Sequence, residues 1–194
     1  EHVKRQMMRN AFVAMMISHG TPMILGGDEW MRSQLGNNNA YSSGADNEWN
    51  WFRWGEWTAN AERHRMHDFV RNLIQFRKDH VYALSPSDWG SGAPFWWKNA
   101  QNNGDPDWSS KHLMIHYYDP AFGNELAILI NLERQPTDFS LPEGRAWQRR
   151  VDTQSYFDTD AYFEAYPDAD EQVSANISLN ESDGIEGAYL VPEN

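Results

Sequence analysis

The first residues of the chain carry an apolar pattern with helical spacing. One face of the predicted helix, residues 2–18, holds Val3, Met7, Ala11 and Met15. Residues 12–17 are apolar nearly all round, so we expect this helix to be deeply buried. Residues 1–5 resemble the inside of a helix without a cap, which indicates a chain cut from something longer.

A short apolar run follows this helix. Gly20 is placed to end the helix, in the usual C-terminal role of glycine. Residues 22–25, Pro-Met-Ile-Leu, are bounded by that proline and by a Gly-Gly pair. Such a run directly after a buried helix predicts an interior strand of a parallel sheet.

Residues 26–60 show no sustained period and predict a long loop. The segment is rich in turn-forming and aromatic residues: Gly36, Asn37, Asn38, Asn39, Gly44, Asp46, Asn47, Trp49, Trp51, Trp54 and Trp57. Loops of this length inside compact domains are uncommon and are often functional.

Helical spacing returns over residues 61–80, with Asn60 as a suitable N-cap. The apolar stripe consists of Met66, Phe69, Val70, Leu73 and Phe76. Helix, strand, long loop and helix make one β/α unit with an enlarged loop at the C-terminal end of the strand. In (β/α)8 barrels this end carries the active site.

Beyond residue 83 the pattern changes to short strands. The predicted strands are residues 113–118, 126–132, 148–152 and 173–179, separated by turn signals. This part of the sequence holds no helical segment of comparable length. We therefore predict a first domain at residues 1–82 and a small antiparallel β-domain, a sandwich, at residues 83–194.

The aromatic content is unusually high. Ten Trp, eight Tyr and nine Phe make up 14% of the chain. Large flat side chains either fill a core or form platforms for apolar ligand faces. Sugars present such faces through their C–H groups, so the excess is consistent with carbohydrate handling.

Charge and cysteine content exclude several classes of function. The net charge is −12, which repels phosphate backbones and anionic membranes, so we expect neither nucleic acid nor membrane as a partner. The longest apolar run, residues 11–17, is far shorter than the ~20 residues of a membrane span. The absence of cysteine excludes disulfides and thiol catalysis. It leaves the compartment open, with the cytoplasm favoured.

Residues 20–29, Gly-Thr-Pro-Met-Ile-Leu-Gly-Gly-Asp-Glu, closely resemble the eighth-strand motif of the α-amylase superfamily. The succession that follows is similar to the glycogen-debranching and isoamylase group: Arg32-Ser33-Gln34, Gly36-Asn37-Asn38-Asn39-Ala40-Tyr41, Asp46-Asn47-Glu48 and Trp51. Residues 126–131, 139–142 and 147–153 resemble the β-domain that closes these enzymes. Ser42 stands where the family often has cysteine, and residues 43–45 are an insertion.

This resemblance implies an α+β chain. It comprises the last β/α unit of a (β/α)8 barrel (helix 7, strand 8, long loop, helix 8), followed by an antiparallel β-sandwich. The parent enzyme would cleave α-1,6-glucosidic bonds in glycogen or starch-like polysaccharide without a cofactor. In the family, the nucleophile, the acid and the supporting carboxylate come from strands four, five and seven. All three lie upstream of residue 1 if residues 23–25 are strand eight, so we predict no catalytic residue and no hydrolysis by this chain.

Asp28 and Glu29 do not replace the missing carboxylates. Glycoside hydrolysis needs two carboxyl groups flanking one bond, and adjacent residues on an extended segment point to opposite sides. We expect Glu29, with Asp28, to brace the barrel mouth without touching substrate. Direct ligand binding is the alternative.

The Asn-rich loop is the predicted glucan-binding segment. Asparagine amides offer donors and an acceptor that suit the hydroxyl pairs of a sugar. The predicted contacts are Asn37, Asn38, Asn39, Tyr41, Asp46, Asn47, Glu48 and Trp51. In the alternative, Asn and Gly simply form turns, with side chains bonded to their own backbone. The resemblance favours binding, because the loop should overhang the active site.

The tryptophans allow two interpretations. Those of the loop, Trp49, Trp51, Trp54 and Trp57, form a sugar-stacking strip or pack the loop onto its scaffold. Those of the β-domain, Trp96, Trp97 and Trp108, bind starch or pack against the barrel. Packing is the favoured interpretation in both cases.

We predict no metal site. His64, His67 and Asp68 have a helical spacing that suits a metal ion, but they offer only three ligands and a surface or rim position is favoured. The acidic residues between 158 and 171 lack the central glycine of a calcium loop. Asn176 and Asn180 each begin an Asn-x-Ser glycosylation triplet, a pattern that often occurs by chance.

Three functions remain open at this point. The first is a piece of a debranching hydrolase with α-glucan as partner, the second a non-catalytic carbohydrate-binding or interaction module, and the third part of an α-1,4-acting amylase. The predicted helix and strand are apolar enough to need neighbours on several sides. We therefore expect self-association through an exposed barrel surface, or packing of the barrel piece against the β-domain.

Overall fold

The computed structural model describes residues 2–44, 46–58, 60–88, 91–118, 125–154 and 184–191. Within these ranges the chain is an α+β molecule, with helices in its first half and antiparallel strands after residue 94. The predicted α+β class is confirmed. The predicted strand at 173–179, the acidic segment at 158–171 and both Asn-x-Ser triplets lie outside the described residues.

The two long helices agree closely with their predicted bounds, and one short helix was not predicted. Helix α1 spans His2–Ile17, α2 spans Ala61–Asp79, and a short α3 covers Val81–Leu84. The Asn60 side chain accepts a hydrogen bond from the backbone N–H of Arg63 at 2.8 Å, so Asn60 is the predicted N-cap of α2.

The buried face of α1 differs from the predicted one. Val3 and Met7 are 58% and 54% exposed, whereas Arg5, Arg9, Phe12 and Met16 are buried. The Arg9 guanidinium donates to the carbonyls of residues 153 and 154 at 3.2 and 3.1 Å. Arg5 pairs with Glu62 of α2 at 2.8 Å. The burial of Phe12 and Met16 agrees with the prediction for residues 12–17. The apolar pattern missed Arg5 and Arg9, because long polar side chains with distant partners complete this face.

The two long helices pack against each other through one core cluster. Phe12 and Met16 of α1 meet the α2 residues Met66, Phe69, Val70 and Leu73, all of them nearly inaccessible to solvent. Ile24 and Val151 pack at the margin of this cluster. The predicted stripe of α2 is therefore its core face.

The predicted strand at residues 22–25 is not formed. Residues 21–25 have no regular secondary structure, and Met23 and Leu25 are 89% and 58% exposed. A strand exists only through hydrogen bonds to a neighbouring strand. No strand of the described residues pairs with this segment.

An antiparallel sheet of three strands forms the centre of the second half. It contains β1 (Phe95–Lys98), β2 (His112–Tyr117) and β3 (Leu126–Asn131), in the order β1-β2-β3. The predictions at 113–118 and 126–132 are confirmed within one residue. Strand β1 was not predicted, because four residues with three aromatic side chains carry no readable alternation.

Two short ribbons complete the described strands. Strand β4 (Thr137–Ser140) pairs with β7 (Ala188–Val191), and β5 (Trp147–Gln148) pairs with β6 (Gly184–Ile185). The predicted strand at 148–152 is wrong beyond residue 148, since residues 149–154 are irregular. Phe139 of β4 is fully buried against Met114 of β2, which holds this ribbon on the sheet.

The other face of the sheet contacts the helices. Tyr117 of β2 is buried in a cluster with Ala83 and Leu84, against which Ile17 and Phe76 also pack. The helical piece is thus held against the β-domain, one of the two arrangements expected from the sequence. This packing fixes the position of α2, on which the long loop rests.

Candidate functional site

A tight turn begins the long loop. Gly27 has a φ of 101°, a left-handed conformation that favours glycine, and residues Asp28–Trp30 form a short 3-10 helix. The Glu29 carboxylate accepts the Gly27 backbone N–H at 2.8 Å. The turn replaces the extended segment assumed above. Glu29 is occupied with its own turn.

Asp28 lies near Arg32, whereas Glu29 bonds the backbone N–H of Gly27. Its carboxylate lies 4.0 Å from the Arg32 Nε. Burial raises the pKa of Asp28 above its ordinary 3.8; Arg32 opposes the rise and Glu29 adds to it. Asp28 and Glu29 therefore have separate structural partners.

Arg32 fastens the two sides of the loop together. Its guanidinium donates to the Trp49 carbonyl at 2.8 Å and to the Gln34 side chain at 2.9 Å. Gln34 in turn donates to the Asn37 carbonyl at 2.8 Å. This function was missed in the residue-by-residue prediction, where Arg32 counted only as part of a motif. The sequence signal for this role was the position of Arg32, a cation three and four residues after the carboxylates Glu29 and Asp28.

The Asn-rich segment folds back on itself. The Asn37 Oδ1 accepts the backbone N–H of Asn39 at 3.0 Å, and Asn38 is exposed. A 3-10 helix follows at Ala40–Ser43, with Ala40 buried. Tyr41 on this helix is 80% exposed.

Asn47 joins the second part of the loop to the first. Its Nδ2 donates to the carbonyls of Ala40, at 3.4 Å, and of Gly44. Its Oδ1 accepts the Trp49 backbone N–H at 3.1 Å. Asn50 also donates to the Ala40 carbonyl, at 3.3 Å. For Asn37 and Asn47 the turn-forming alternative therefore describes the geometry.

Trp51 and its neighbours form an exposed polar and aromatic edge. The Trp51 indole N–H donates to Asp46 at 2.6 Å, and the ring is 54% exposed. Glu48 is exposed and lies 3.6 Å from the Arg53 guanidinium. Asp46, Glu48 and Trp51 are thus brought together on the outer side of the loop.

The base of the loop packs on α2. Trp30 is buried and meets Phe52 edge-on at 5.1 Å. The Trp57 ring lies 5.0 Å from the His64 ring and 4.6 Å from the His67 ring. Burial lowers the pKa of His67 below its ordinary 6.5, an effect that Asp68 opposes. These contacts confirm the packing interpretation for Trp57.

His64, His67 and Asp68 do not assemble into a metal site. The nearest approaches of the two imidazoles to Asp68 are both 3.9 Å, and Arg71 takes the Asp68 carboxylate at 2.9 Å. In the described ranges no group of three or more His, Asp or Glu side chains is arranged to hold a metal ion. None of the helices in those ranges has both the length and the apolar character that crossing a bilayer requires.

Two depressions flank the loop. The smaller, about 190 Å³, is lined by Trp30, Arg32, Glu48, Trp51, Phe52 and Arg63, among others. It contains two of the predicted glucan contacts, Glu48 and Trp51. The larger, about 550 Å³, lies between residues 24–29 and α2 and contains Glu29 and His67. The remaining predicted contacts lie outside both.

Comparison with known proteins identifies the relatives of this chain. The glycogen debranching enzyme of Pectobacterium atrosepticum is 36% identical over 152 residues, 76% of the chain. Isoamylase SU1 of Zea mays is 32% identical over 170 residues, 86% of the chain. The isoamylase of Pseudomonas amyloderamosa is 32% identical over 172 residues, 84% of the chain. The chain is a relative of the debranching glycoside hydrolases.

The family resemblance predicted from residues 20–51 is therefore confirmed. No protein-family model matches the chain, and the aligned part amounts to 21% of each of these three relatives. In this debranching-enzyme relative, the predicted site residues fall into two groups. Asp28, Glu29, Asn37 and Asn47 make contacts within the loop, and the half-buried Asn39 donates its backbone N–H to the Asn37 side chain. The side chains open to solvent are Asn38, Tyr41, Asp46, Glu48 and Trp51.

Proposed function

We propose that this chain is the C-terminal portion of a hydrolase that cleaves α-1,6-glucosidic bonds in glycogen or starch-like polysaccharide. The observation that carries the proposal is identity of 32–36% to a glycogen debranching enzyme and to isoamylases over at least 76% of the chain. The relatives' names favour debranching over an α-1,4-acting amylase.

In this proposal residues 1–82 complete a (β/α)8 barrel and residues 83–194 form a β-sandwich behind it. Residues 22–25 would then pair with strands supplied by the rest of the enzyme. The exposure of Met23 and Leu25 supports this, because large apolar side chains are normally covered in a finished fold.

The substrate contact assigned to this chain is the loop around residues 37–51. Tyr41 and Trp51 offer exposed aromatic faces for stacking on glucose. Asn38, Asp46 and Glu48 offer exposed polar groups beside them. Hydrogen bonds within the loop, through Arg32 and Asn47, hold these side chains in place before a ligand arrives.

Binding is tested by calorimetric titration of the chain with a maltooligosaccharide that carries one α-1,6 branch. Tyr41→Ala and Trp51→Ala should each raise Kd about tenfold, as expected for the loss of one stacking platform. Tyr82→Ala is the matched control, an exposed tyrosine of α3 outside the loop, and should leave Kd within about twofold. Equal affinities of all variants would remove the loop from the substrate site.

Catalysis is assigned to carboxylates outside this chain. Asp28 and Glu29 are engaged with Arg32 and with the Gly27 backbone, which supports their role as braces. The purified chain should therefore release no reducing ends from glycogen or pullulan, even at high protein concentration. Turnover that survives further purification would refute this assignment.

A non-catalytic carbohydrate-binding module is the second candidate. The exposure of Tyr41 and of Trp54, which is 87% accessible, favours it. Such a module has no need to recognise a branch point, so it would bind linear maltoheptaose and the branched ligand equally. The debranching proposal expects tighter binding of the branched ligand.

A further inference from the structure

An exposed tryptophan pair lies in the β-domain, outside the long loop. Trp97 is on β1, an edge strand of the three-stranded sheet, and Trp108 is on the connection between β1 and β2. Their ring centroids are 5.4 Å apart and their planes are inclined by 51°. Trp97 is 44% exposed and Trp108 is 71% exposed. Packing, the interpretation favoured from the sequence, leaves much of both rings uncovered.

Trp108 lies in a turn that is closed by hydrogen bonds among its own residues, 107–110. Asp107 accepts hydrogen bonds from the Ser109 hydroxyl at 2.6 Å and from the Ser109 backbone N–H at 2.9 Å. The Ser110 hydroxyl donates to the Asp107 carbonyl at 2.8 Å. These bonds to Ser109 lower the pKa of Asp107, so the turn keeps its charged acceptor at mildly acidic pH. An ordered turn presents Trp108 at little conformational cost to a ligand.

The start of the same connection is ordered as well. Asn99 donates from its side chain to Asn103 at 2.8 Å and accepts the Asn103 backbone N–H at 3.1 Å. The Asn99 backbone N–H donates to the Gly104 carbonyl at 3.1 Å. Both tryptophans therefore project from segments with fixed internal hydrogen bonds.

The chemistry of the pair fits a neutral carbohydrate. The negative face of an indole ring attracts the C–H groups on the face of a sugar. A chain with a net charge of −12 disfavours anionic ligands. The inclination of the rings selects between two glucans. A β-1,4-linked glucan is flat and stacks on coplanar rings. An α-1,4-linked glucan is curved, so successive glucose units present inclined faces, which fit the inclined rings of Trp97 and Trp108.

We propose that Trp97 and Trp108 form a second, non-catalytic binding site for a linear α-1,4-glucan segment. Only the class of ligand rests on the proposed function. The location rests on the ring pair itself. Such a site would hold a long polysaccharide chain on the protein while the loop around residues 37–51 engages a branch.

Trp96 provides the matched control. It follows Phe95 and precedes Trp97 on β1, so its side chain projects from the opposite face of the sheet. It is 47% exposed, close to the value for Trp97. Its ring centroid lies 6.4 Å from that of His116 and 6.3 Å from that of Tyr118, and among the described residues no second tryptophan is its ring partner.

The test is an NMR titration of the 194-residue chain that follows the indole N–H signals of its tryptophans. Maltoheptaose should shift the Trp97 and Trp108 signals, and cellohexaose should not. Trp108→Ala should raise the Kd read from the Trp97 signal about tenfold. Trp108→Phe should give a Kd between those of the natural chain and of Trp108→Ala. Trp96→Ala should leave that Kd within about twofold, and thermal unfolding of each variant verifies the fold.

Three outcomes would overturn the site: unshifted Trp97 and Trp108 signals, a Trp108→Ala variant with unchanged affinity, or equal shifts by cellohexaose. The Tyr41→Ala and Trp51→Ala titrations separate this site from the loop. If they lose affinity for the branched ligand while Trp108→Ala has no effect, the proposed function stands and this site is removed. If Trp108→Ala loses affinity while Tyr41→Ala and Trp51→Ala do not, this site stands and the loop is removed from the substrate site.

Discussion

Gly27 shows how a single residue sets the entry of the loop. Its φ of 101° places it in the left-handed region. A Cβ atom at this position would lie 2.9 Å from Arg32 Cδ and 3.1 Å from Arg32 Cβ. The stem of Arg32 thus lies against the Gly27 backbone, which aims its guanidinium at Trp49 and Gln34.

Gly27→Ala should destabilise the chain by about 2–3 kcal/mol, through left-handed strain and displacement of Arg32. Gly36→Ala is the control, since Gly36 also has a left-handed φ, 84°, but open space where its Cβ would be. That variant should lose only about 1 kcal/mol. Urea unfolding compares the two, and equal losses would show that the contact with Arg32 has no energetic weight.

Arg77 joins the elements α1 and α2. It is buried in α2 and donates to the carbonyls of Met16, of Ser18 at 2.9 Å and of Gly20 at 2.7 Å. Met16 carries one of the carbonyls left open in the last turn of α1, and Ser18 and Gly20 follow the helix. A cation at this position also favours the helix dipole. The C terminus of α1 is therefore capped by a residue of another helix.

Arg77→Met should cost about 3 kcal/mol, because charge-assisted hydrogen bonds are lost and buried carbonyls stay unpaired. Lys78→Met removes a neighbouring exposed cation from the same helix turn and should change stability by less than about 0.5 kcal/mol. Thermal unfolding followed by circular dichroism measures both. A small effect of Arg77→Met would mean that water replaces the guanidinium.

We expect the packing of the loop on α2 to depend on pH through His67. Its folded pKa is lowered by burial beside Trp57, so the unfolded chain takes up a proton before the folded chain does. Stability should therefore fall as the pH drops below about 6.5 toward the lower folded pKa. His67→Gln should lose less stability than the natural chain between pH 7.5 and 5.5 in urea unfolding. An identical pH response of His67→Gln and the natural chain would contradict this role for His67.

At the scale of elements, the sequence was informative wherever a local pattern decides the structure. The stripe from Met66 to Leu73 predicted α2 and its core face, since a helix satisfies its own backbone. The prediction of a strand at residues 22–25 was wrong, because a strand depends on partners that the pattern of one segment cannot reveal. Arg9 is among the most buried side chains, and it bonds the carbonyls of residues 153 and 154, partners that a local pattern does not contain.

The candidate site was predictable in position but not in the roles of its residues. The family resemblance and the turn-rich composition both indicated residues 26–60. Whether an asparagine bonds its own loop or faces solvent depends on the folded backbone, so Asn47 and Asn38 could not be told apart from the sequence. The pairing of Trp97 with Trp108 likewise depends on β1, a strand that the sequence did not predict, and on the fold of the connection after it.

For the molecule as a whole, four large apolar side chains near the N terminus are more than half exposed: Val3, Met7, Met23 and Leu25. Self-association of the chain through them remains a prediction. Sedimentation velocity should show the average mass rising with concentration, and Met7→Glu combined with Met23→Glu should suppress that rise. A monodisperse monomer at high concentration would contradict it.

The proposed function requires that the loop around residues 37–51 contacts the glucan. The most direct measurement is a map of backbone amide NMR shifts on adding an α-1,6-branched maltooligosaccharide. We expect saturable shifts concentrated at residues 38–41 and 46–51, with no shift in α3. Shifts that leave these two segments unchanged, or no saturable shifts at all, would contradict it.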